Sequence, residues 1–448
     1  MKKEERRNLK VYQKVFGCQM NEYDSDEVKK SLCEKGYEIT EEASESDIIL
    51  FNTCSVRQHA EERVFGNLRK LSKLKKKRPE VIIGIMGCMV NAYKEELLKD
   101  FPHVDFISGT YDFGQVPEIL DEVLKEREQK AFISLHYKGF RFSRYTGRFN
   151  KIKAFVPVMR GCDNFCSFCI VPYVRGREIS RNPDEIIDEI SFLAEHGVKE
   201  IMLLGQNVNS YGKGLHVNID FPDLLSRVND VNGIEVIRFM TSHPKDTSEK
   251  LFSVMKDNEK VEKHLHLPLQ SGSDKILRAM NRNYSINDYS KKIDSLRKLI
   301  PSVSITTDII VGFCGEGDSE YNQTKDVIKG IRFDDAFIFK YSPRKGTKAF
   351  TLKDDVSQRV KNERNNDLLK LQKSISYEKN KELIGREEKV LVEAVSRKNN
   401  TQMKGRTSSD KEVVFEGTKD MIGKIFLVKL TDIVHETFIG KLCNNENK

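Results

Sequence analysis

Three cysteines stand close together at Cys162, Cys166 and Cys169, in the stretch RGCDNFCSFCIVPYVRGRE. Their C-x3-C-x2-C spacing supplies three thiolates, which are ligands for zinc or for an iron–sulfur cluster. Zinc sites usually add a second ligand pair downstream, and no such pair follows. Three thiolates on a four-iron cluster leave one iron with an open position, as a catalytic metal site requires. The spacing therefore favours a cluster whose fourth ligand is a small molecule. A structural zinc site and unliganded buried cysteines are the alternatives.

Three further cysteines, Cys18, Cys54 and Cys88, lie far apart in the sequence but in similar positions. Each lies at the end of an apolar, strand-like run, in VYQKVFG, DIILFNT and VIIGIMG. Because the carboxyl ends of parallel strands meet at one edge of a sheet, these thiols could converge. Spacing alone favours three unrelated core cysteines, so a second metal site depends on the sequence around each of them.

These runs belong to a predicted N-terminal domain at residues 10–126. Strand-like runs alternate there with polar helical stretches, which indicates a small α/β domain with a parallel sheet. A connector follows at residues 138–153, KGFRFSRYTGRFNKIK, with six Lys or Arg residues and no acid. Aromatic rings between cations suit base stacking and phosphate contact, or they anchor the connector to a core.

Residues 148–378 are predicted to form an open (β/α)6 partial barrel, with the cysteine triplet directly after its first strand. The candidate strands are AFVPVMRG, EIMLLGQ, VIRFMTS, HLHLPLQ, VSITTDIIVG and AFIFKYS. Helical segments separate them. One of these segments has Asn182 as predicted N-cap and Pro183 in its first turn. Active sites in such folds gather at the carboxyl ends of the strands.

The pattern changes at residues 381–444, after a predicted helical stretch at 355–383. The segments EKVLVEAVS, MKGRTSS, KEVVFEG and GKIFLVKLTDI are short, strand-like and separated by turns. They predict a small antiparallel β-barrel of the kind that many RNA-binding modules use.

Composition limits the class of protein. The chain has 448 residues, 38% of them hydrophobic, which suffices for two or three domains. Its longest apolar runs are about ten residues, whereas a bilayer span needs about 20. The start MKKEERRNLK lacks the apolar segment of a secretory signal. We therefore expect a cytoplasmic protein without membrane association, whose thiols stay reduced. The net charge of +8 does not by itself establish nucleic-acid binding.

The extended motif RGC-x3-C-x2-CIVPYVRGRE resembles the radical S-adenosylmethionine superfamily and, within it, the methylthiotransferases. The contexts FGCQMNEYDSD, FNTCSVR and GIMGCMVN are similar to the N-terminal domain of that family. The resemblance implies two [4Fe-4S] clusters with three cysteine ligands each. The radical-generating cluster, which binds S-adenosylmethionine, would take Cys162, Cys166 and Cys169. An auxiliary cluster that handles sulfur would take Cys18, Cys54 and Cys88. The C-terminal barrel would be a tRNA-binding TRAM domain.

The stretches LLGQNVNSYG and HLHLPLQSGSDKIL resemble the branch that acts on N6-dimethylallyladenosine in tRNA. The resemblance implies conversion of N6-isopentenyladenosine at position 37, beside the anticodon, to its 2-methylthio derivative. The implied partners are tRNA with an isopentenylated anticodon loop and an electron donor such as flavodoxin or ferredoxin, with the enzyme acting as a monomer. The alternative targets are threonylcarbamoyl-adenosine in tRNA and a ribosomal protein. A non-catalytic iron–sulfur RNA-binding protein is a further alternative.

Small or polar residues at the barrel's strand ends are predicted to contact S-adenosylmethionine, because they allow close backbone approach or offer hydrogen bonds. They are Gly205, Gln206, Asn207, Ser242, Gln270, Ser271 and Gly312. Each could instead be a turn residue. Arg175 and Arg177 could bind a carboxylate or phosphate, or form structural ion pairs. No catalytic residue is expected beyond the cluster ligands.

Several other residues have a structural interpretation beside any functional one. The basic run at 69–79 suits either phosphate contact or a solvated helix face. Cys33 and Cys443 are expected to be packing or incidental thiols. Cys314, in GFCGEGD, stands where relatives more often have Pro, which leaves that loop's chemistry open. Among His243, His264 and His266, we expect packed histidines rather than metal ligands.

Overall fold

The computed structural model describes residues 9–56, 58–134 and 152–443. The predicted connector at 138–153 lies outside them except for its last two residues. The chain divides into two compact units. Unit 1 comprises residues 1–148, 160–179 and 342–351, and unit 2 comprises residues 149–159, 180–341 and 352–448. The three predicted domain ranges, 10–126, 148–378 and 381–444, therefore stay a prediction.

Unit 1 contains a parallel sheet with the strand order β2-β1-β3-β4-β5-β6. Its strands are β1 (Lys10–Val15), β2 (Glu38–Thr40), β3 (Ile48–Thr53), β4 (Ile82–Gly87), β5 (Phe106–Ser108) and β6 (Lys130–Phe132). Its helices are α1 (Gln19–Glu34), α2 (Gln58–Lys77), α3 (Cys88–Tyr93), α4 (Glu96–Asp100), α5 (Val116–Glu126) and α6 (Val171–Arg175). The predicted α/β domain with a parallel sheet is confirmed.

The central strands of this sheet are buried on both faces. Alternate residues of β3 enter different cores, since Ile48 and Leu50 pack in one cluster and Ile49 and Phe51 in the other. Side chains alternate across a strand, so an unbroken apolar run is what a doubly covered strand requires. This pattern made β3 and β4 recognisable in the sequence.

Unit 2 contains the predicted partial barrel. Its strands are β7 (Lys153–Pro157), β10 (Glu200–Leu204), β11 (Val236–Phe239), β12 (His264–His266), β13 (Ser304–Val311) and β14 (Asp335–Lys340). They form two parallel three-stranded sheets, in the orders β11-β10-β7 and β12-β13-β14. A parallel bridge connects Ile237 in β11 with Val261 in the segment that leads into β12. The short strands β8 (Met159–Arg160) and β9 (Ile179–Ser180) lie where the chain passes between units.

Helices alternate with these strands as expected. They are α7 (Pro183–Glu195), α8 (Phe221–Asn229), α9 (Glu249–Asp257), α10 (Asp274–Ala279), α11 (Ile286–Leu299), α12 (Asp318–Ile331) and α13 (Gln358–Lys381). The Asn182 side chain caps α7 by accepting a hydrogen bond from the Asp184 N–H at 2.8 Å. This confirms the predicted N-cap. Within the described residues, no helix combines the length and apolar character needed to cross a membrane.

A closed five-stranded barrel ends unit 2, with the order β15-β16-β17-β19-β18. Its strands are β15 (Glu387–Val395), β16 (Gln402–Thr407), β17 (Glu412–Glu416), β18 (Ile425–Val434) and β19 (Thr437–Leu442). Its pairs are antiparallel except for β17 and β19, which run parallel. The predicted small barrel is confirmed, whereas β19 was not recognised because it is short and follows β18 after only two residues.

A buried charge cluster joins this barrel to the partial barrel within unit 2. Arg238 on β11 is 4% exposed and pairs with Glu200, Glu262 and Asp410, each at 3.3 Å. Its Nη2 also donates to the Thr407 carbonyl oxygen at 3.0 Å. Thr407 ends β16 and Asp410 lies in the turn between β16 and β17, so the cluster fixes the small barrel against β11.

Candidate metal centre

The sheet of unit 1 brings the three separated cysteines to one edge. Cys18, Cys54 and Cys88 follow β1, β3 and β4, which are consecutive neighbours in the sheet. Parallel strands present their carboxyl ends on the same side, so the three loops converge there. Cys18 precedes α1 and Cys88 begins α3. The predicted convergence of these loops is therefore seen in the structure.

The thiols of this set affect one another's pKa values. A hydrogen bond between the Cys18 and Cys54 thiols lowers the pKa of Cys18 to about 5 and raises the pKa of Cys54. Burial raises the pKa of Cys88, and charge on Cys18 raises it further. Three thiols in such contact are most easily kept as thiolates when a positive centre binds them.

Glycines allow this close approach. Gly17 has a φ of +134°, and a Cβ at that position would lie 2.5 Å from Cys54 Cβ. Gly87 has a φ of +100°, and a Cβ there would lie 2.5 Å from Asn52 Oδ1. Any other residue would push these loops apart, so both glycines serve the placement of the cysteines.

A buried amide network orders the same loops. Asn21 Nδ2 donates to Asn52 Oδ1 at 3.2 Å and to the Thr53 carbonyl oxygen at 2.8 Å. Asn52 Nδ2 donates in turn to the Asn21 carbonyl oxygen at 3.0 Å and to Ser25 Oγ at 2.8 Å. These bonds tie the start of α1 to the end of β3. Sequence reasoning missed both asparagines, although MNEYDSD and FNTC place a polar residue beside each cysteine.

The C-x3-C-x2-C triplet lies in the segment 160–179, which also belongs to unit 1. Cys166 is buried, and Cys162 and Cys169 are partly buried. The Cys169 N–H donates to the Cys166 carbonyl oxygen at 2.9 Å, which closes a tight turn. Burial raises the pKa of Cys162 to about 11, with a smaller effect of Cys166 charge in the same direction. The segment thus holds its three thiols on one compact loop.

The two cysteine sets meet through the residues that follow the triplet. Ile170 and Val174 pack with Cys88 in one small buried cluster. Thr110 Oγ1 donates to the Val174 carbonyl oxygen at 2.8 Å and Tyr111 donates to the Arg175 carbonyl oxygen at 3.2 Å. Both cysteine sets therefore belong to a single packed unit.

Arg175 reaches from the triplet segment into the first set. Its Nη2 donates to Asn21 Oδ1 at 2.8 Å and to Asp24 Oδ2 at 2.9 Å. Its charge lowers the pKa of Cys18 and of Cys88. Arg177, by contrast, is exposed and pairs with Asp163 at 2.9 Å. Of the two arginines singled out in the sequence, only Arg175 is directed at the cysteines.

A cavity of about 170 Å³ in unit 1 lies beside both sets. Ser55, next to Cys54, and Ile170, next to Cys169, contribute to its lining. Glu61 and Arg344 also line it and form an ion pair with each other. Burial raises the pKa of Glu61, and Arg344 opposes that shift. The cavity therefore combines a paired charge with residues adjacent to the thiols.

The donor set fits a multi-iron cluster better than a single ion. Among the residues that the structure describes, no group of three or more His, Cys, Asp or Glu side chains is arranged to hold a metal ion. A single zinc ion needs every thiolate sulfur about 2.3 Å from one point. An iron–sulfur cluster binds thiolates on separate irons, so its ligands stand farther apart. The six thiols of the two sets, a buried guanidinium and three strand-end loops suit the second case.

The residues predicted to contact S-adenosylmethionine lie in unit 2, at the carboxyl ends of β10 to β13. Several have roles within the protein. Asn207 donates to Asp246 at 2.7 Å, and Ser242 donates to Asn209 at 3.2 Å. A Cβ on Gly312 would lie 2.4 Å from Lys361 Cγ, so packing explains that glycine.

The remaining predicted contacts are Ser271, Gly205, Gln270 and Gln206. Ser271 is fully buried and lies 3.4 Å from Thr324 Oγ1, and Gly205 packs against Met159. Gln270 has a φ of +72°, and its buried Oε1 has no hydrogen-bond partner in the described part of the chain. Gln206 follows Gly205 at the strand end and is partly buried. Gln270 through Oε1 and Asn207 through Oδ1 are thus the members of the set with a buried carbonyl oxygen that has no partner in the described part of the chain.

The other residues singled out in the sequence have structural surroundings. His264 and His266 are buried, and their ring nitrogens lie 2.9 and 3.0 Å from Thr306 Oγ1. Cys33 lies within α1, away from the strand-end loops, and Cys314 is buried in unit 2. The basic run at 69–79 lies mainly on α2, where Lys75 pairs with Asp105 at 2.8 Å while Lys73 and Lys76 are exposed.

Three family models match parts of the chain. Residues 10–109 match Uncharacterized protein family UPF0004, residues 156–328 match the Radical SAM superfamily, and residues 381–443 match the TRAM domain. The three matches follow the order of the sheet, the partial barrel and the small barrel.

Curated relatives match nearly the whole chain. A tRNA-2-methylthio-N(6)-dimethylallyladenosine synthase from Clostridium novyi (strain NT) is 47% identical over 437 residues, covering 97% of each chain. One from Dictyoglomus thermophilum is 46% identical over 423 residues, covering 94% of this chain and 96% of the relative. Identity at this level over both full lengths shows common family membership.

Solved structures are similar in fold. The radical S-adenosylmethionine methyltransferase TsrM from Kitasatospora setae, with tryptophan substrate and a SAM analog bound, superposes with a TM-score of 0.53. It is 12% identical, and the match covers 74% of this chain and 73% of that chain. At this identity the similarity concerns the fold alone.

Proposed function

The chain belongs to the tRNA-2-methylthio-N(6)-dimethylallyladenosine synthase family, and on that premise we propose that it converts N6-dimethylallyladenosine in tRNA to the 2-methylthio derivative. The observation that carries this proposal is the combination of full-length identity with two cysteine triplets in one packed unit. Adenine C2 has no acidic proton, so general-base chemistry cannot activate it. A radical superfamily fold supplies the alternative.

Two [4Fe-4S] clusters form part of the proposal. Cys162, Cys166 and Cys169 hold the cluster that binds S-adenosylmethionine. The auxiliary cluster has the ligands Cys18, Cys54 and Cys88. When bound, these groups supply one-electron cleavage of S-adenosylmethionine and a sulfur atom for transfer. Three ligands each leave an open iron for a small molecule, which is the physical requirement common to both roles.

The chain's own residues position these ligands. Asn21 and Asn52 hold the Cys18 and Cys54 loops together through buried amide bonds, and Gly17 allows the two loops to approach. Cys54, Cys88 and Cys166 are buried, Cys162 and Cys169 are partly buried, and Cys18 is exposed, so each set keeps one side open to solvent while most of its thiols are enclosed. Gln270 offers a carbonyl oxygen to the bound S-adenosylmethionine at the end of β12.

Transfer RNA is the proposed macromolecular substrate, with the position beside the anticodon as its target. The TRAM match and the closed barrel support RNA binding, because such small barrels present strands and loops to nucleic acid. Arg238 fixes this barrel to the partial barrel, so bound RNA would be held by the unit that carries the strand-end residues. The exposed lysines of α2 supply further phosphate contacts. An electron donor such as flavodoxin or ferredoxin and a monomeric state remain part of the proposal.

The test is anaerobic reconstitution with isopentenylated tRNA, a reductant and S-adenosylmethionine, followed by mass spectrometry of nucleosides. We expect 2-methylthio-N6-isopentenyladenosine. Methylthiolation of threonylcarbamoyl-adenosine or of a ribosomal protein instead would replace the proposed substrate. Release of no 5′-deoxyadenosine would favour a non-catalytic RNA-binding protein.

Iron counting tests the ligand assignment separately. The parent should hold about eight irons per chain, and alanine at all three positions of either triplet should leave about four. Cys33→Ala is the matched control, since this thiol lies within α1 away from both sets and its loss should leave about eight. A triple variant that retains all its iron would contradict the assignment.

A further inference from the structure

The guanidinium of Arg175 is buried where it meets the proposed auxiliary ligands. The side chain is 3% exposed, and Asn21, Asp24 and Cys88 around it are equally enclosed. Burying a charge is costly unless it is paired. Nη2 donates the hydrogen bonds to both Asn21 and Asp24, so the other nitrogen of the planar guanidinium, Nη1, is directed elsewhere.

Nη1 is the nitrogen of the Arg175 guanidinium that remains available for a ligand. This atom is buried and has no oxygen or nitrogen partner within the described residues, while hydrogen bonding from Arg175 helps to lower the pKa of the Cys88 thiol, so the guanidinium faces that sulfur. The thiols of Cys88 and Cys18 are the groups whose charge acts most strongly on Arg175 beside Asp24. A buried donor without a partner is rare in native proteins and calls for a ligand that satisfies it.

Asp24, the carboxylate that pairs with Arg175, also interacts with a second arginine. Arg160 also approaches Asp24, with Nη1 3.8 Å from Oδ1. Arg160 lies over the rings of Tyr111 and Phe113 as well, at 5.5 and 5.9 Å from their centroids. Asp24 is therefore shared between two guanidinium groups, which leaves Arg175 able to act on a further anion.

We propose that Arg175 is a positioning residue for the auxiliary cluster, with Nη1 donating a hydrogen bond to a sulfur of that cluster and its charge favouring the reduced state. The inference rests on the proposed ligand role of Cys18, Cys54 and Cys88. Thiolate-bound clusters become more negative on reduction, and hydrogen bonds to their sulfurs raise the reduction potential. Because Arg175 comes from the segment of the other triplet, it also makes the auxiliary site depend on that segment's fold.

The test uses the full chain with Cys162, Cys166 and Cys169 replaced by alanine, so that only the auxiliary cluster loads. Iron content is measured first, and the midpoint potential is then followed by electron paramagnetic resonance. We expect Arg175→Gln to lower the equilibrium constant for reduction about tenfold or more, because a charge-assisted bond is lost. Arg175→Lys keeps the charge and should recover part of that loss.

Asp24→Asn separates the proposed role from a merely structural one. It removes the counter-charge while retaining Arg175, so reduction should become easier, opposite to the effect of Arg175→Gln. Arg177→Gln is the matched control, because this exposed neighbour pairs with Asp163 and should leave the potential unchanged.

Any of the following results for the iron content and the midpoint potential would overturn the inference. Shifts in the same direction for Arg175→Gln and Asp24→Asn, or no shift in either, would overturn the inference while the loaded iron upholds the ligand assignment. Loss of iron in Arg175→Gln with an unshifted potential in Asp24→Asn would overturn it as well. A background without iron would overturn the ligand assignment and the inference together.

Discussion

Buried polar groups are satisfied differently in the two units. In unit 2, Arg238 pairs with three carboxylates, and helices begin with side-chain caps such as Asn182 on α7 and Ser285 on α11. In unit 1, Cys18 precedes α1 and makes no side-chain cap bond, and Arg175 pairs with the single carboxylate of Asp24. The buried cation Arg238 of unit 2 is thus surrounded by three carboxylates of the chain, whereas Arg175 of unit 1 has one carboxylate, Asp24, which it shares with Arg160.

The largest effect should come from removing Arg238, the buried cation of unit 2. Arg238→Met would leave Glu200 and Glu262 buried, and Asp410 partly buried, without their cation. We expect the free energy of unfolding to fall by about 3–5 kcal/mol, measured by urea denaturation of the cluster-free protein. Arg227→Met removes an exposed partner of Asp184 and should cost less than about 1 kcal/mol. Equal losses of unfolding free energy in Arg238→Met and Arg227→Met would contradict the expectation that the buried cation contributes more than the exposed one.

Loading the clusters should stabilise unit 1 specifically. A ligand that binds only the folded state stabilises it by about 2.7 kcal/mol at 100 times its dissociation constant. Hydrogen exchange should therefore slow about 100-fold in the first turn of α1, next to Cys18, and change little in α7 and α8. The measurement compares cluster-free and reconstituted protein by mass spectrometry. Equal slowing of hydrogen exchange in both units would show that cluster binding does not stabilise unit 1 specifically.

The carboxylates around Arg238 should also give unit 2 a pH dependence. Burial raises the pKa of Glu262 from 4.5 to about 7, although Arg238 opposes that shift and Glu200 and Asp410 add to it. The folded state then holds a proton that the unfolded state loses between these values. The contribution of Glu262 is therefore complete below about pH 4.5 and is lost as the pH rises to about 7.

Glu262→Gln isolates this contribution. The free energy of unfolding of the parent, relative to the variant, should fall by on the order of 2 kcal/mol between pH 4.5 and 8. Burial lowers the pKa of the neighbouring His264 to about 4, which gives the opposite slope in both proteins and cancels in the difference. A difference that does not change with pH would show that Glu262 is ionised throughout.

The smallest effect concerns the helix starts. Asn182→Ala removes the bond from the Asp184 N–H and should cost about 1 kcal/mol of unfolding free energy. Cys18→Ala in the cluster-free protein removes no cap bond from α1 and should cost less than about 0.5 kcal/mol. Thermal or urea unfolding of both variants tests the pair. A larger cost at Cys18 would mean that this thiol supports the fold without a ligand.

Much of this contrast could be predicted from the sequence. Apolar runs identified β1, β3 and β4, and their carboxyl ends located Cys18, Cys54 and Cys88 at one edge, since period and polarity are local properties. The Asn182 cap was recognisable for the same reason. The strand-end residues Gly205 and Gly312 were less well predicted, because a glycine that packs on Met159 or Lys361 looks the same in sequence as one that admits a ligand.

Long-range pairings could not be predicted. The bond from Arg175 to Asp24 spans 151 positions, and Arg238 meets Thr407 across 169. Neither has a periodic signal, since each depends on how complete elements come together. The parallel pairing of β17 with β19 was missed on the same ground. Sequence patterns therefore located the thiols, and the structure revealed the charged groups around them.

Unit 1 is built from three stretches of chain, the last of which ends at residue 351. That stretch brings Arg344 to Glu61 and Lys345 to Glu96. At about 5–20 residues per second, a ribosome needs on the order of tens of seconds to travel from Cys88 to that point. For that interval the nascent sheet has its own three thiols but not the segments that enclose them. Under the proposed ligand assignment, the enclosed site for the auxiliary cluster is therefore complete only after most of the protein has been translated.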